Sequence, residues 1–245
     1  MFERHLDITS KNGPIPSFFV APGEAGNFPA IILYMDAPGI REELWNIARR
    51  IAKRGYACVV PDLYHRFGHI RFNLPRRNDG MSKVILAAYL ALTDADIDDD
   101  TAAMIGFLDA QPQVRAGKIG SVGFCMSGRF VTTAAKRFPD QFACAASLYG
   151  TRLVVDEEDS PHTRLDGIAA EMYYGFGDID ATTPPDYIET FTASLDAAKV
   201  NYTMDIFTGV DHGYAFVERA MYDADAAETS WGKIFDMYER CLKPS

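Results

Sequence analysis

The run Gly123-Phe124-Cys125-Met126-Ser127-Gly128 comes directly after the apolar run Lys118-Ile119-Gly120-Ser121-Val122. Its form is that of a nucleophile elbow carrying cysteine where most such elbows carry serine. A sharp strand-to-helix turn requires small residues two before and two after the nucleophile, and the nucleophile tolerates strain that lifts it above the sheet. Gly123 and Ser127 meet that demand around Cys125. Taking Ser127 as nucleophile instead puts Arg129 two positions on, where a long side chain collides with the turn. The chemistry predicted is attack on a carbonyl carbon by a thiol.

A thiol attacks as thiolate, so Cys125 needs a base, and the base needs an orienting carboxylate. His212 stands in Gly209-Val210-Asp211-His212-Gly213-Tyr214, just after a predicted strand ending near Phe207. Catalytic groups of open α/β sheets gather on loops at the carboxyl ends of strands. His5, His65, His69 and His162 lie in less constrained contexts. The carboxylate comes from Gly175-Phe176-Gly177-Asp178-Ile179-Asp180-Ala181-Thr182-Thr183-Pro184, where Asp178 and Asp180 both follow a strand end. A helix opening near Pro184 or Pro185 competes for either aspartate as a cap, and Thr183 is the other capping candidate. The order nucleophile, acid, histidine is that of the α/β-hydrolase triad.

The elements that must position these residues alternate between short β-rich runs and amphipathic helices, the pattern of a mostly parallel central sheet with helices on both faces. Phe28 to Met35 and Ala57 to Val60 read as strands, with Leu44, Ile47, Ala48 and Ile51 at helical spacing between them. Met104, Phe107 and Leu108 mark a helix before the strand leading into Cys125. Further strands are expected at Ala143 to Tyr149, Ala170 to Tyr174 and Tyr202 to Phe207. Tyr187, Ile188, Phe191 and Leu195 mark a helix between the last two, and Trp231, Ile234, Phe235 and Tyr238 mark the closing one. Leu6 to Ile8 and Ile15 to Val20, separated by Asn12-Gly13-Pro14, suggest an edge hairpin. Residues 64–82 show no clear period and read as a surface excursion or lid.

The 245 residues are 48% hydrophobic and 24% charged, an ordinary globular composition. No internal repeat or low-complexity linker interrupts them, so one domain over 1–245 is expected. A net charge of −10 argues against nucleic acid and anionic membrane surfaces as partners, since both call for a basic face. No signal peptide or membrane-length apolar run is apparent, and a cytoplasmic protein is expected. The four cysteines show no Cys-x-x-Cys spacing; Cys58, Cys144 and Cys241 read as structural thiols. Asp94-Ala95-Asp96-Ile97-Asp98 opens like a calcium loop but has Asp99 at its sixth position and Ile105 at its twelfth, so a helix start is the better reading. His65 and His69 do not make a zinc pair in their irregular context, and no metal site is expected. No Gly-x-Gly-x-x-Gly follows a strand, so no cofactor is expected.

Taken together, these motifs resemble the dienelactone hydrolase family, carboxymethylenebutenolidase-like members of the α/β-hydrolase fold, over nearly the whole chain. Gly123-x-Cys125-x-Ser127-Gly128 is similar to the family's G-x-C-x-G-G elbow, with Ser127 replacing one glycine. Its acid motif resembles G-x-x-D-x-x-x-P, which fits Gly177, Asp180 and Pro184 and favours Asp180 over Asp178. His212-Gly213-Tyr214 resembles the histidine loop, and Pro61-Asp62-Leu63-Tyr64 a segment after an earlier strand. The resemblance implies a triad of Cys125, His212 and Asp180, with an oxyanion hole from the backbone amides of Ala37 and Met126. Asp36 takes the place of a family glutamate that contacts the resting thiol. Its side chain is shorter, and it reads equally as a loop carboxylate near the helix opening around Arg41.

Dienelactone-specific members carry an arginine after the catalytic histidine that grips the substrate carboxylate; the corresponding residue here is Phe216. Arg66, Arg71 and Arg152 are the other loop arginines, each readable as a surface residue. Tyr149 and Phe216 suggest a partly aromatic substrate pocket. The expected function is cofactor-independent hydrolysis of small lactones or carboxylic esters through an acyl-thioester. The alternative is a noncatalytic binding or thiol-sensing protein on the same scaffold. Oligomeric state and natural substrate are not readable.

Overall fold

The computed structural model describes residues 1–243, which divide into two compact units, residues 1–117 and 118–243. In the first unit β1 (Phe2–Ser10) and β2 (Gly13–Ala21) form an antiparallel hairpin in which Phe2 faces Ala21 and Ser10 faces Gly13. Gly13 takes φ +106°, which a side-chain-bearing residue rarely adopts, so the tight turn needs glycine there. Next come β3 (Ala30–Tyr34), α1 (Glu42–Lys53) and β4 (Ala57–Pro61). β2 pairs antiparallel with β4, and β4 parallel with β3. β3 is shorter than the apolar run predicts: Pro29 lacks an amide for the ladder, and Phe28 makes an isolated bridge to Val114 instead.

The excursion after β4 is more ordered than its sequence suggests. Two short 3-10 turns lead into a helix, α2 (Asp79–Leu90), whose start is capped by Asn78 Oδ1 accepting the Met81 amide at 2.9 Å. The three arginines considered as anion clamps are all engaged. Arg66 grips buried Asp100, Arg71 grips Asp62 at 2.7 Å, and Arg152 pairs with Glu157 at 2.5 Å. His65 also reaches Asp100, at 3.1 Å. α3 (Asp94–Asp109) starts with a capping box between Thr93 and Asp96, which accounts for the acidic cluster there.

The second unit holds β5 (Ile119–Phe124), α4 (Ser127–Arg137), β6 (Phe142–Leu148), β7 (Glu171–Gly177), α5 (Pro185–Ala197), β8 (Tyr202–Phe207) and α6 (Ala224–Leu242). Its strands pair in parallel in the order β5-β6-β7-β8. Successive strand residues point to opposite faces. A Cβ on Gly123 would lie 2.6 Å from Val131 of α4, while neighbouring Phe124 meets Trp231 of α6 at 6.2 Å between ring centroids. Helices therefore cover both faces of this sheet. Among the described residues, no helix is long and apolar enough to cross a membrane.

Candidate active site

The three triad candidates all lie in the second unit, each on a loop or turn at the carboxyl end of a strand. β5 ends at Phe124 and α4 begins at Ser127, leaving Cys125 and Met126 to make the turn. Cys125 has φ +56°, a left-handed conformation that costs a non-glycine residue on the order of 1–3 kcal/mol. Its backbone is anchored on both sides. The amide donates to Leu148 O at 3.1 Å, and the carbonyl accepts from Gly128 at 3.1 Å and Thr151 at 3.0 Å. Those bonds over-determine the strained turn.

Glycine is required on either side of this turn. A Cβ on Gly123 would sit 2.6 Å from Ser127 O, and one on Gly128 2.3 Å from Gly150 Cα. Ser127, the family's missing glycine, is fully buried, and Cys125 is only partly covered. Arg129 lies buried on α4 and pairs with Asp159 at 3.4 Å. Met126 opens α4, where amides point out of the helix start.

Asp180 and His212 are brought together by lacing of the loops after β7 and β8. Asp178 donates its amide to Phe207 O at 3.0 Å, and Ile179 donates to Val210 O at 3.2 Å. Gly177 permits that crossing, since a Cβ there would stand 2.1 Å from Val210 O. The two aspartates take different positions. Asp178 is exposed and accepts the Gly209 amide at 2.6 Å, whereas Asp180 is 2% exposed and places Oδ2 2.7 Å from His212 Nδ1. α5 starts at Pro185 with no side-chain cap, so neither Thr183 nor an aspartate serves it.

His212 and Cys125 are within hydrogen-bonding reach of each other, and their charges interact. Burial alone pushes the imidazole pKa down. The Cys125 thiolate charge and the hydrogen bonds to Asp180 and Cys125 outweigh that and raise it to about 10. Asp180 is pulled below its usual range: burial opposes the shift, but His212 and two hydrogen bonds from Thr182 prevail. Both carboxylate and sulfur neighbours thus favour the protonated imidazole of His212.

Tyr149 has φ +40° and is buried, its ring edge-on to His212 at 5.0 Å and to Tyr214 at 5.1 Å. Phe216 is buried against Phe124, with centroids 4.8 Å apart. The two form an aromatic cluster beside His212. In the first unit Asp36 is 1% exposed and is held by Arg41 through both carboxylate oxygens, with Nη2 3.0 Å from Oδ2. Ala37, next in the chain, accepts a hydrogen bond from the Tyr64 hydroxyl on its carbonyl at 2.7 Å. Thr182, absent from the sequence reading, touches both Asp180 and His212. The Asp-x-Thr spacing is an Asx-turn signal that could have pointed to it.

A strained cysteine on a strand-to-helix turn, with a parallel sheet behind it and helices on both of that sheet's faces, defines an α/β-hydrolase fold. A sequence model of the Dienelactone hydrolase family matches residues 15–242, a stretch that runs through both units. The chain belongs to the dienelactone hydrolase family. It is 28% identical to a Synechocystis sp. protein described as "Putative carboxymethylenebutenolidase", over 97% of this chain and 96% of that one. It is 24% identical to a Bradyrhizobium sp. protein described as "Probable 2-oxo-3-(5-oxofuran-2-ylidene)propanoate lactonase", over 97% and 95%. A crystal structure from Klebsiella pneumoniae, titled as a "Putative Dienelactone Hydrolase", shares the fold with a TM-score of 0.87 at 24% identity, covering 98% of both chains.

Proposed function

We propose that this protein is a cysteine-dependent hydrolase of small lactones or carboxylic esters, working through an acyl-thioester without a cofactor. The observation that carries the reading is the continuity from Cys125 at φ +56°, through His212, to Asp180 at 2.7 Å. The Cys125 thiolate adds to the substrate carbonyl, and the amide of Met126, at the start of α4, receives the developing oxyanion. As the tetrahedral adduct collapses, protonated His212 gives its proton to the leaving alkoxide. A water molecule deprotonated by His212 then attacks the thioester and frees the acid and the thiol. Asp180 holds the imidazole in one tautomer and stabilises its cationic form.

The substrate is read as a lactone or ester because the relatives carry lactonase and carboxymethylenebutenolidase names. Phe216 in place of an arginine, beside Tyr149, favours an apolar rather than an anion-gripping wall. Asp36, in the grip of Arg41, is read as a first-unit loop carboxylate. The whole chain, 1–245, is read as one domain because the family match runs through both units. The acidic net charge supports a small-molecule partner over nucleic acid or membrane, and the four free cysteines suit a cytoplasmic setting. The test is hydrolysis of an aryl ester and a five-membered lactone by the wild type and Cys125→Ala. Hydrolysis lost in the variant supports the reading. Full activity in Cys125→Ala overturns it, and alkylation of Cys125 without any turnover favours a thiol-sensing protein.

A further inference from the structure

Thr182 lies in the loop between β7 and α5, two residues after Asp180. Its amide donates to Asp180 Oδ1 at 2.8 Å, and its hydroxyl reaches the same oxygen at 2.6 Å. The hydroxyl oxygen is also 3.0 Å from His212 Nδ1, the atom that meets Asp180 Oδ2 at 2.7 Å. The three side chains thus form a closed ring of polar contacts. We propose that Thr182 is a positioning residue of the triad, fixing the rotation of the Asp180 carboxylate and enforcing the Nδ1–H tautomer of His212. This inference rests on the triad reading of Cys125, His212 and Asp180.

Proton counting carries the argument. An ionised carboxylate only accepts, so the short contact to Oδ1 uses the single hydroxyl proton of Thr182. The oxygen of that hydroxyl then has only lone pairs to offer His212, so the proton between them must belong to Nδ1. Asp180 Oδ2 imposes the same choice from its own side. With Nδ1 protonated, Nε2 is the nitrogen left to exchange a proton with the thiol and the leaving group. Oδ1 carries two donors from one residue, so turning the carboxylate breaks both bonds at once. The strand-end loop gains a rigid acid without burying a further charge.

The main chain supplies one of those donors whatever the side chain, so substitution isolates the hydroxyl. Thr182→Val keeps the shape and removes the hydroxyl; Thr182→Ser restores it. Thr182 is exposed, which makes loss of folding an unexpected outcome, and Thr182→Ala provides a second hydroxyl-free variant.

The experiment is the pH dependence of kcat/KM for nitrophenyl acetate in the wild type, these three variants and Cys125→Ala, with thermal melts alongside. Expected is a fall of about tenfold in kcat with little change in KM for Val and Ala, the scale seen when a group orienting a functional side chain is removed. The alkaline limb should move to higher pH, because Oδ1 short of one donor is more basic and holds the proton on His212 longer. Serine should restore both the rate and the profile, and the melting temperatures should agree. Cys125-dependent activity with rates and limbs unchanged in Val and Ala overturns the role of Thr182 alone. So does a rate loss that follows a lowered melting temperature and leaves the profile unmoved. Activity that survives in Cys125→Ala overturns the triad reading beneath it, whatever Thr182 does.

Discussion

Gly128 of α4 and Gly150 after β6 approach so closely that a Cβ on Gly128 would lie 2.3 Å from Gly150 Cα and 2.4 Å from Ser147 Oγ. This contact seats the helix that opens the elbow against the strand neighbouring β5. Gly150 Cα is main chain and cannot turn aside, so Gly128→Ala must displace α4 and should cost about 1–3 kcal/mol or more. Gly106, in the last turn of α3, has nothing within 4 Å of an added Cβ. Gly106→Ala should instead stabilise by about 0.5–1 kcal/mol through helix propensity. Urea unfolding of the two variants checks both signs.

The two aspartates of the β7 loop separate cleanly by partner. Asp180→Asn should reduce kcat/KM by about 10³-fold or more, since an amide facing His212 Nδ1 favours the wrong tautomer. Asp178→Asn keeps an oxygen for the Gly209 amide and should change the rate less than about threefold, as surface substitutions away from a buried network generally do. Steady-state kinetics of the pair measures the contrast.

His212 links stability to pH. Its folded pKa of about 10 lies above the ordinary 6.5. Its stabilising contribution is therefore complete below pH 6.5, declines as pH rises, and is gone above about 10. Asp180, pulled below its usual value, contributes above that value and loses its effect as pH falls through its folded pKa. Denaturant melts from pH 6 to 10.5 on the wild type and His212→Gln should show the first slope only in the wild type. Cys125→Ala removes a sulfur neighbour whose charge and hydrogen bond raise the His212 pKa, so His212 should titrate lower by NMR.

Asp36 is buried in the first unit, and Arg41 grips it with both guanidinium nitrogens. Removing Arg41 takes the cation from a buried carboxylate, a change that typically costs about 3–5 kcal/mol. Arg41→Ala should lower the urea midpoint accordingly. Asp36→Asn with Arg41→Met should recover part of the loss, because no isolated charge remains buried.

The sequence made the elbow legible because its demands are local: Gly123, Cys125 and Gly128 sit within six residues, and the close contacts of both glycines follow from the turn itself. The α/β alternation was legible for the same reason, since each strand and helix has its own period. Asp178 and Asp180 could not be separated by spacing alone. Their roles depend on how two loops lace through Ile179 and Val210, a contact between segments 31 positions apart. α2 was hidden because its capped start at Asn78 follows an irregular basic stretch, and few of its side chains are buried. Arg66, Arg71 and Arg152 were read as solvated because their carboxylate partners come from other parts of the chain or from an irregular loop. Thr182 escaped notice because a threonine gains its meaning here only from the His212 ring brought beside it.

The most direct test of the central claim is intact-mass spectrometry of the protein quenched in acid during turnover of an aryl ester. The account predicts a transient species heavier by one acyl group, mapped to Cys125, absent in Cys125→Ala and disappearing as free acid accumulates. Product release with no Cys125-linked adduct at any quench time, at the same rate in Cys125→Ala, would contradict it.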